Sequence, residues 1–155
     1  MSQRYYNASI KNLAYRLRKF KDSLGDNLEE IIKDKEDVIV SAIVDDQLFR
    51  RGITGKGIKI SSYAPYAAST IAAKKKKGQP TTRVTLRDTG EFHKSVHVVY
   101  DAGGFYLKSD DAKAEELIQK YGADIFRLTN KNFNRILRVH IRRELVKRLK
   151  QQLKA

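Results

Sequence analysis

The chain contains no cysteine among its 155 residues, and it has no long apolar run. The first absence excludes disulfides, a thiolate nucleophile and cysteine zinc ligands, and it suits a protein made and kept in a reducing compartment. The second excludes a membrane span, which needs about 18 apolar residues, and the first six residues lack the apolar core of a signal peptide. We therefore expect a soluble protein, made in the cytoplasm, with no membrane partner.

Acidic residues are scarce at both ends of the chain, whose formal net charge is +14. Residues 1–21 hold six Lys/Arg and no acid, and residues 129–155 hold nine Lys/Arg against Glu144. Residues 22–46 instead hold nine Asp/Glu against two lysines. The basic ends suggest polyanionic or acidic partners, but the acidic stretch would repel phosphate. Either oppositely charged faces meet between subunits of a multimer, or these helices pack or are solvated within one subunit.

Apolar residues at helical spacing predict long helices at both ends of the chain. In the first helix, over about residues 2–20, the apolar face is formed by Tyr6, Ile10, Leu13, Leu17 and Phe20. Asp26, with Glu29 three residues later, has the pattern of a capping box and predicts a long second helix that ends at Gly52. Thr129 is predicted to cap the last helix. The apolar face of that helix consists of Phe133, Ile136, Leu137, His140, Ile141, Leu145, Leu149 and Leu153.

The middle of the chain has the pattern of short elements joined by turns. Four adjacent lysines repel one another, so Lys74–Lys77 are predicted to form an exposed loop tip. Arg83–Leu86 alternates like a strand, and residues 96–100 and 105–108, on either side of an Asp-Ala-Gly-Gly turn at 101–104, predict a β-hairpin. A helix ending at Gly122 follows. The order predicts one α+β domain over residues 1–155, with a small, mainly antiparallel sheet packed with long N- and C-terminal helices.

The residue patterns do not favour an enzyme. His93 and His97 would face one metal ion only on a continuous helix, and a strand-like run begins between them. Asp88-Thr89-Gly90 matches the aspartic-protease triplet, but that chemistry needs two carboxylates that share a proton. The glycines at 52–57 lack the strand, GxxxxGK[ST] and helix order of a phosphate loop. We expect no catalytic residue, no metal and no cofactor.

Phosphate contact is the best-supported binding chemistry in the sequence. The candidate residues for contact with DNA or phosphate are Lys74, Lys75, Lys76, Lys77, Arg138 and Arg142. Binding through such cations would depend on salt but not on base sequence. This defines an alternative function, that of a basic, sequence-independent nucleic-acid-binding module.

Several segments between residues 47 and 150 occur in an order that resembles a known family. A helix end at Leu48–Gly52 is followed by a Tyr- and Lys-rich stretch at 63–77, an apolar pair at 84–86, Arg87-Asp88-Thr89-Gly90-Glu91-Phe92-His93-Lys94-Ser95, Ile118–Gly122 and Ile125–Thr129. The order resembles that of the virion morphogenesis and tail-completion proteins of tailed bacteriophages. The chain departs from the family pattern in having Arg127 in place of a common glycine and Tyr121 in place of the usual phenylalanine.

The resemblance implies a structural virion protein at the neck or proximal tail, which completes or joins the tail to the head. It implies a homo-oligomeric ring, with portal, connector or tail proteins as partners and the packaged DNA as a further candidate. A ring of one chain needs two different patches that meet. We expect the acidic second helix and the basic terminal region to supply them, through Glu29, Glu30, Asp34, Asp37, Arg135, Arg143 and Lys147.

Overall fold

The computed structural model describes the backbone of residues 2–101 and 104–154 and, within those ranges, the side chains from Ile10 onward. The predictions made for Tyr6, Ala102 and Gly103 lie outside these described side chains and residues. By its internal contacts the chain divides into two compact units, Met1–Lys35 with Leu137–Ala155, and Glu36–Ile136. That both belong to one domain stays a prediction.

The helices are α1 (Ser2–Asp22), α2 (Leu24–Asp34), α3 (Glu36–Ser41), α4 (Ala68–Lys76), α5 (Glu91–Ser95), α6 (Ala114–Tyr121), α7 (Asn130–Ile136) and α8 (Arg142–Lys154). Ala42–Arg51 and Leu137–Ile141 are π-helical, and Ile60–Ser62 and Ala123–Phe126 are 3₁₀ turns. The strands are β1 (Val96–Asp101) and β2 (Gly104–Ser109). The predicted α+β class, with a small antiparallel sheet and long terminal helices, is confirmed. No helix in the described ranges is both long and apolar enough to cross a bilayer.

The β-hairpin was predictable, but the strand before it was not. β1 and β2 pair antiparallel, with Val96 opposite Ser109 and Asp101 opposite Gly104. The strand predicted at Arg83–Leu86 is wrong. There the backbone N–H of Thr85 donates to the Tyr66 hydroxyl at 2.9 Å instead of to a neighbouring strand, and Leu86 has a left-handed φ of +52°. That conformation is incompatible with a regular strand.

The predicted second helix is shorter and less regular than its apolar pattern suggests. It begins at Leu24, ahead of the proposed cap at Asp26, and ends at Asp34 because the chain leaves helical geometry at Lys35. α3 and the π-helical segment then continue to Gly52. Gly52 ends this segment as predicted, with a φ of +61°, and its N–H donates to the carbonyl oxygen of Gln47.

A buried polar network joins the π-helical segment to the start of α7 in the second unit. The fully buried Gln47 donates through Nε2 to the carbonyl oxygen of Arg127 and accepts at Oε1 from Thr129 N and Asn132 Nδ2, at 2.8–3.1 Å. Thr129 caps α7 as predicted, because its Oγ1 accepts from the backbone N–H of Asn132. The surrounding core includes Ile39, Ile43, Leu48, Ile60, Val84, Ile125 and Ile136.

In the first unit the predicted helices are present, but the predicted apolar faces are only partly buried. Ile31, Ile32 and Ile141 are buried. Ile10, Leu13 and Leu17 on α1 are exposed, as is Leu137. α8 contains no buried residue, although Leu145, Leu149 and Leu153 are half-buried. Helical spacing therefore identified these helices correctly without showing which face the chain covers.

Candidate functional site

The lysine run is part of a helix, not the predicted exposed loop tip. Lys74–Lys76 end α4, and Lys77 is its C-cap. Lys74 is only 5% exposed. Its Nζ donates to Gln79 Oε1 at 2.9 Å and to the Arg87 carbonyl oxygen at 2.5 Å, and it lies 5.0 Å from the centre of the Tyr66 ring. For Lys74, these contacts take the place of the water that we expected around a lysine of an exposed loop.

The loop that Lys74 contacts is residues 87–90, the start of the family-like signature. Gln79 Nε2 donates to the Asp88 carbonyl oxygen at 2.7 Å, and Lys77 Nζ donates to Asp88 Oδ1 at 2.5 Å. The Lys77 ammonium holds the pKa of the Asp88 carboxyl below its usual value, because it donates to the ionised form. We refer to Lys74, Lys77 and Gln79 as the lysine clasp. Two of the four lysines proposed for phosphate contact thus bind their own chain.

His93 contacts the segment immediately before the loop of residues 87–90. It is buried, and its Nε2 lies 2.9 Å from the Thr85 carbonyl oxygen. A carbonyl oxygen can only accept, so Nε2 carries a proton in this contact. Burial lowers the pKa of His93 below its ordinary value of 6.5, more than the hydrogen bond to Thr85 raises it. The neutral imidazole therefore anchors Thr85, immediately before the left-handed Leu86.

A cleft of about 450 Å³ lies beside the clasp, with Tyr66, Lys74, Leu86, Thr89, Leu117 and Tyr121 in its lining. Its best-placed cation, Lys74, already donates to two oxygens. Lys75 and Lys76 are exposed and form no ion pair with any residue that the structure describes. These two lysines are the members of the run that are open to phosphate.

The two histidines considered for a metal site occupy different elements. His93 is in α5 and is engaged with Thr85, whereas His97 is in β1, with Nδ1 2.9 Å from the Ser95 carbonyl oxygen and 3.7 Å from Asp110 Oδ2. Within residues 2–101 and 104–154 no group of three or more His, Asp or Glu side chains is arranged to hold a metal ion.

One ion-pair cluster joins the acidic stretch to the basic terminal helix within a single chain, as in the alternative to a contact between subunits; the predicted interface between subunits stays a prediction. Arg148 donates to Glu30 Oε2 at 2.6 Å and lies 3.7 Å from Asp34 Oδ2, and its side chain is mostly buried. Sequence reasoning missed Arg148 because it assigned the pairing to other cations. The available signal was its position beside Leu149 and three residues after Leu145, on the apolar face of the helix.

The remaining interface candidates differ in how far they are engaged. Glu29 pairs with Lys33 on the same helix, and Lys147 lies 3.6 Å from Glu144. The other candidates are exposed and form no ion pair within the described residues; they are Asp37, Arg135 and Arg143, together with the phosphate candidates Arg138 and Arg142. These side chains are available to a partner.

An apolar groove of about 850 Å³ lies among β2, α6, the 3₁₀ turn at Ala123–Phe126 and α7. We define this hairpin groove by Phe105, Tyr106, Ile118, Phe126, Leu128 and Phe133. Tyr106 and Phe133 are 50% and 43% exposed. Sequence reasoning missed the groove, because it is assembled from segments up to 28 residues apart and Phe133 was assigned to a buried face.

The chain matches no protein-family model, and searches of curated proteins and of solved structures find no match either.

Proposed function

We propose that this protein is a non-enzymatic structural component of a tailed-bacteriophage virion. It acts at the neck or proximal tail, completing or joining the tail to the head as a homo-oligomeric ring bound to portal, connector or tail proteins. The observation that carries the proposal is the ordered set of family-like segments over residues 47–150. The chain is made in the host cytoplasm and becomes part of the particle.

The geometry of the signature segment supports a structural role for its residues. Asp88 and the carbonyl of Arg87 accept hydrogen bonds from the lysine clasp, and Gly90 adopts a φ of +95° immediately before α5. A positive φ favours glycine, since it has no Cβ. Asp-Thr-Gly therefore serves here to shape and hold a loop, which accounts for these residue types without catalysis.

Quantitative mass spectrometry of purified particles tests the proposal. The expected result is a small fixed copy number that matches a rotational ring. A matched measurement on particles that lack tails indicates whether the protein enters with the head or with the tail. Absence of the protein from complete particles would overturn the proposal.

A sequence-independent nucleic-acid-binding module is a second candidate. It is favoured by four exposed cations that form no ion pair among the described residues, Lys75, Lys76, Arg138 and Arg142. Lys74 and Lys77 do not contribute, because they bind their own chain. For this candidate, Lys75→Ser with Lys76→Ser should weaken duplex binding and lower the slope of log K against log salt by about 0.9 for each phosphate that is no longer neutralised. Unchanged binding would contradict it.

A further inference from the structure

The N-terminal helix carries an apolar stripe that the chain leaves open. Ile10, Leu13 and Leu17, which we call the α1 stripe, are 63%, 46% and 45% exposed. Their spacing of three and then four residues places them on one face of α1. Lys21, four residues after Leu17 on the same face, is exposed and forms no ion pair in the part of the chain that the structure describes.

The hairpin groove has the complementary character. It is concave, and it is lined by aromatic and aliphatic side chains. Glu115 lies one helical turn before Ile118 on the same side of α6, so it flanks the groove. Glu115 is exposed and, among the described residues, makes no ion pair. Arg127, the cation in the groove lining, lies 3.9 Å from Asp124 Oδ1.

We propose that the α1 stripe of one copy binds in the hairpin groove of a second copy. This inference rests on the proposed ring and names the two surfaces that meet in it. Amphipathic helices bind apolar grooves through anchors at i, i+3, i+4 and i+7, and the α1 stripe supplies i, i+3 and i+7. Lys21 extends the face of the stripe and Glu115 flanks the groove, and their attraction favours the correct orientation of the helix.

Complementary charge, and the presence of both a stripe and a groove on each chain, favour a second copy of this protein as the occupant of the groove. The face of the stripe carries the cation Lys21 and the groove is flanked by the carboxylate of Glu115, and one chain carries one of each surface. Every copy can therefore cover both of its apolar surfaces by contacting two other copies. The two patches differ, so the contact is heterologous, as closure of a ring from one chain requires.

Two full-length variants test this contact. Leu13→Glu with Leu17→Glu disrupts the stripe, and Phe133→Glu disrupts the groove. In sedimentation equilibrium the wild-type protein should form concentration-dependent oligomers, and each variant alone should remain monomeric. An equimolar mixture should form a 1:1 dimer and nothing larger, because the groove variant keeps an intact stripe and the stripe variant keeps an intact groove.

Tyr15→Glu is the matched control for the stripe. Tyr15 is 62% exposed, but it lies on a different side of α1, so this variant should assemble like the wild type. Circular dichroism should show wild-type helicity for all variants. If Phe133→Glu unfolds the chain, Tyr106→Glu disrupts the groove from the other side and should give the same result.

Cysteine cross-linking gives an independent measurement, because the wild-type chain contains no cysteine. Leu17→Cys mixed with Tyr106→Cys should form a disulfide-linked heterodimer under mild oxidation, whereas Tyr15→Cys mixed with Tyr106→Cys should not. Homodimers of Leu17→Cys alone would indicate stripe-to-stripe pairing and would overturn the inference. So would a wild-type chain that stays monomeric, or a stripe variant that assembles normally. The copy number in particles tests the proposed function separately. Failure of this contact alone would leave the proposed function standing, and absence from particles would overturn the function whatever the cross-linking shows.

Discussion

The ammonium group of Lys74 donates a 2.5 Å hydrogen bond to the carbonyl oxygen of Arg87, so the lysine run holds the loop that carries Asp88 and Gly90. Lys74 is nearly inaccessible to solvent, and its two oxygen acceptors both belong to the chain. A buried polar group without its partner costs about 1–3 kcal/mol. Lys74 is therefore expected to stabilise this loop, whether or not the protein binds phosphate.

Replacing Lys74 with Met should lower the free energy of unfolding by about 1–3 kcal/mol, because the Arg87 carbonyl and Gln79 Oε1 lose their donor. The matched variant Lys75→Met changes an exposed neighbour and should stay within about 0.5 kcal/mol of the wild type. Urea unfolding followed by circular dichroism measures both. Equal effects of the two substitutions would contradict the buried role of Lys74.

Stability should depend on the protonation of His93. Burial lowers the pKa of His93 in the folded chain, whereas in the unfolded chain it has its ordinary value of 6.5. The unfolded chain therefore binds the proton more readily. The stabilising contribution is complete above pH 6.5 and is lost as the pH falls from 6.5 through the lower folded pKa.

Unfolding by urea at about pH 7.5 and about pH 5.5 tests this dependence. The wild type should lose more stability between these conditions than His93→Gln, whose amide can still donate to the Thr85 carbonyl oxygen. An identical pH response of the wild type and His93→Gln would show that His93 does not titrate as its burial implies.

Arg148→Met should destabilise the chain by about 1 kcal/mol, because Glu30 and Asp34 lose a shared cation. Both carboxylates are largely exposed, so water replaces much of the lost interaction. Lys147→Met is the matched control and should have a smaller effect. Thermal unfolding at low and high salt measures the difference, which should narrow in about 1 M salt because exposed charges are then screened.

Gly55→Ala should destabilise the chain by about 1–3 kcal/mol, as overpacking does. A Cβ at Gly55 would overlap the carbonyl oxygen and Cβ of Arg127, and the Gly55 N–H already donates to the Asp124 carbonyl oxygen at 2.8 Å. Gly25→Ala, in α2, meets nothing within 4 Å and should instead stabilise the helix by about 0.5–1 kcal/mol. The denaturant midpoints of the two variants measure these effects. A Gly55→Ala variant as stable as the wild type would contradict the close approach of Gly55 to Arg127.

The sequence correctly predicted the ends of helices where those ends depend on residues close by in the chain. Gly52, Gly122 and the Thr129 cap each act within one helical turn, and β1 and β2 pair with neighbouring residues of the same short segment. The strand predicted at Arg83–Leu86 failed because a tyrosine 19 residues away binds Thr85. Alternation of side chains does not reveal such a partner.

The candidate site was less predictable because its chemistry depends on burial. Lys74–Lys77 look alike in the sequence, yet Lys74 is buried beside Tyr66 and Lys75 is exposed. The charges of residues 22–46 and 129–155 left open whether an acid–base contact forms between subunits or within one. They did not distinguish Arg148, which makes that contact within the chain, from Arg143, which is exposed and unpaired within the described residues.

The lysine clasp also has a consequence for the order in which this region opens. Lys74 lies in the last turn of α4, and with Lys77 and Gln79 it holds residues 87–90, so we expect the loop to stay ordered only while that turn is folded. The two segments should therefore open as one cooperative unit in native-state hydrogen exchange. Replacing the exposed Ala72 with glycine should fray α4 and raise the exchange rate of residues 87–90, although none of them is changed.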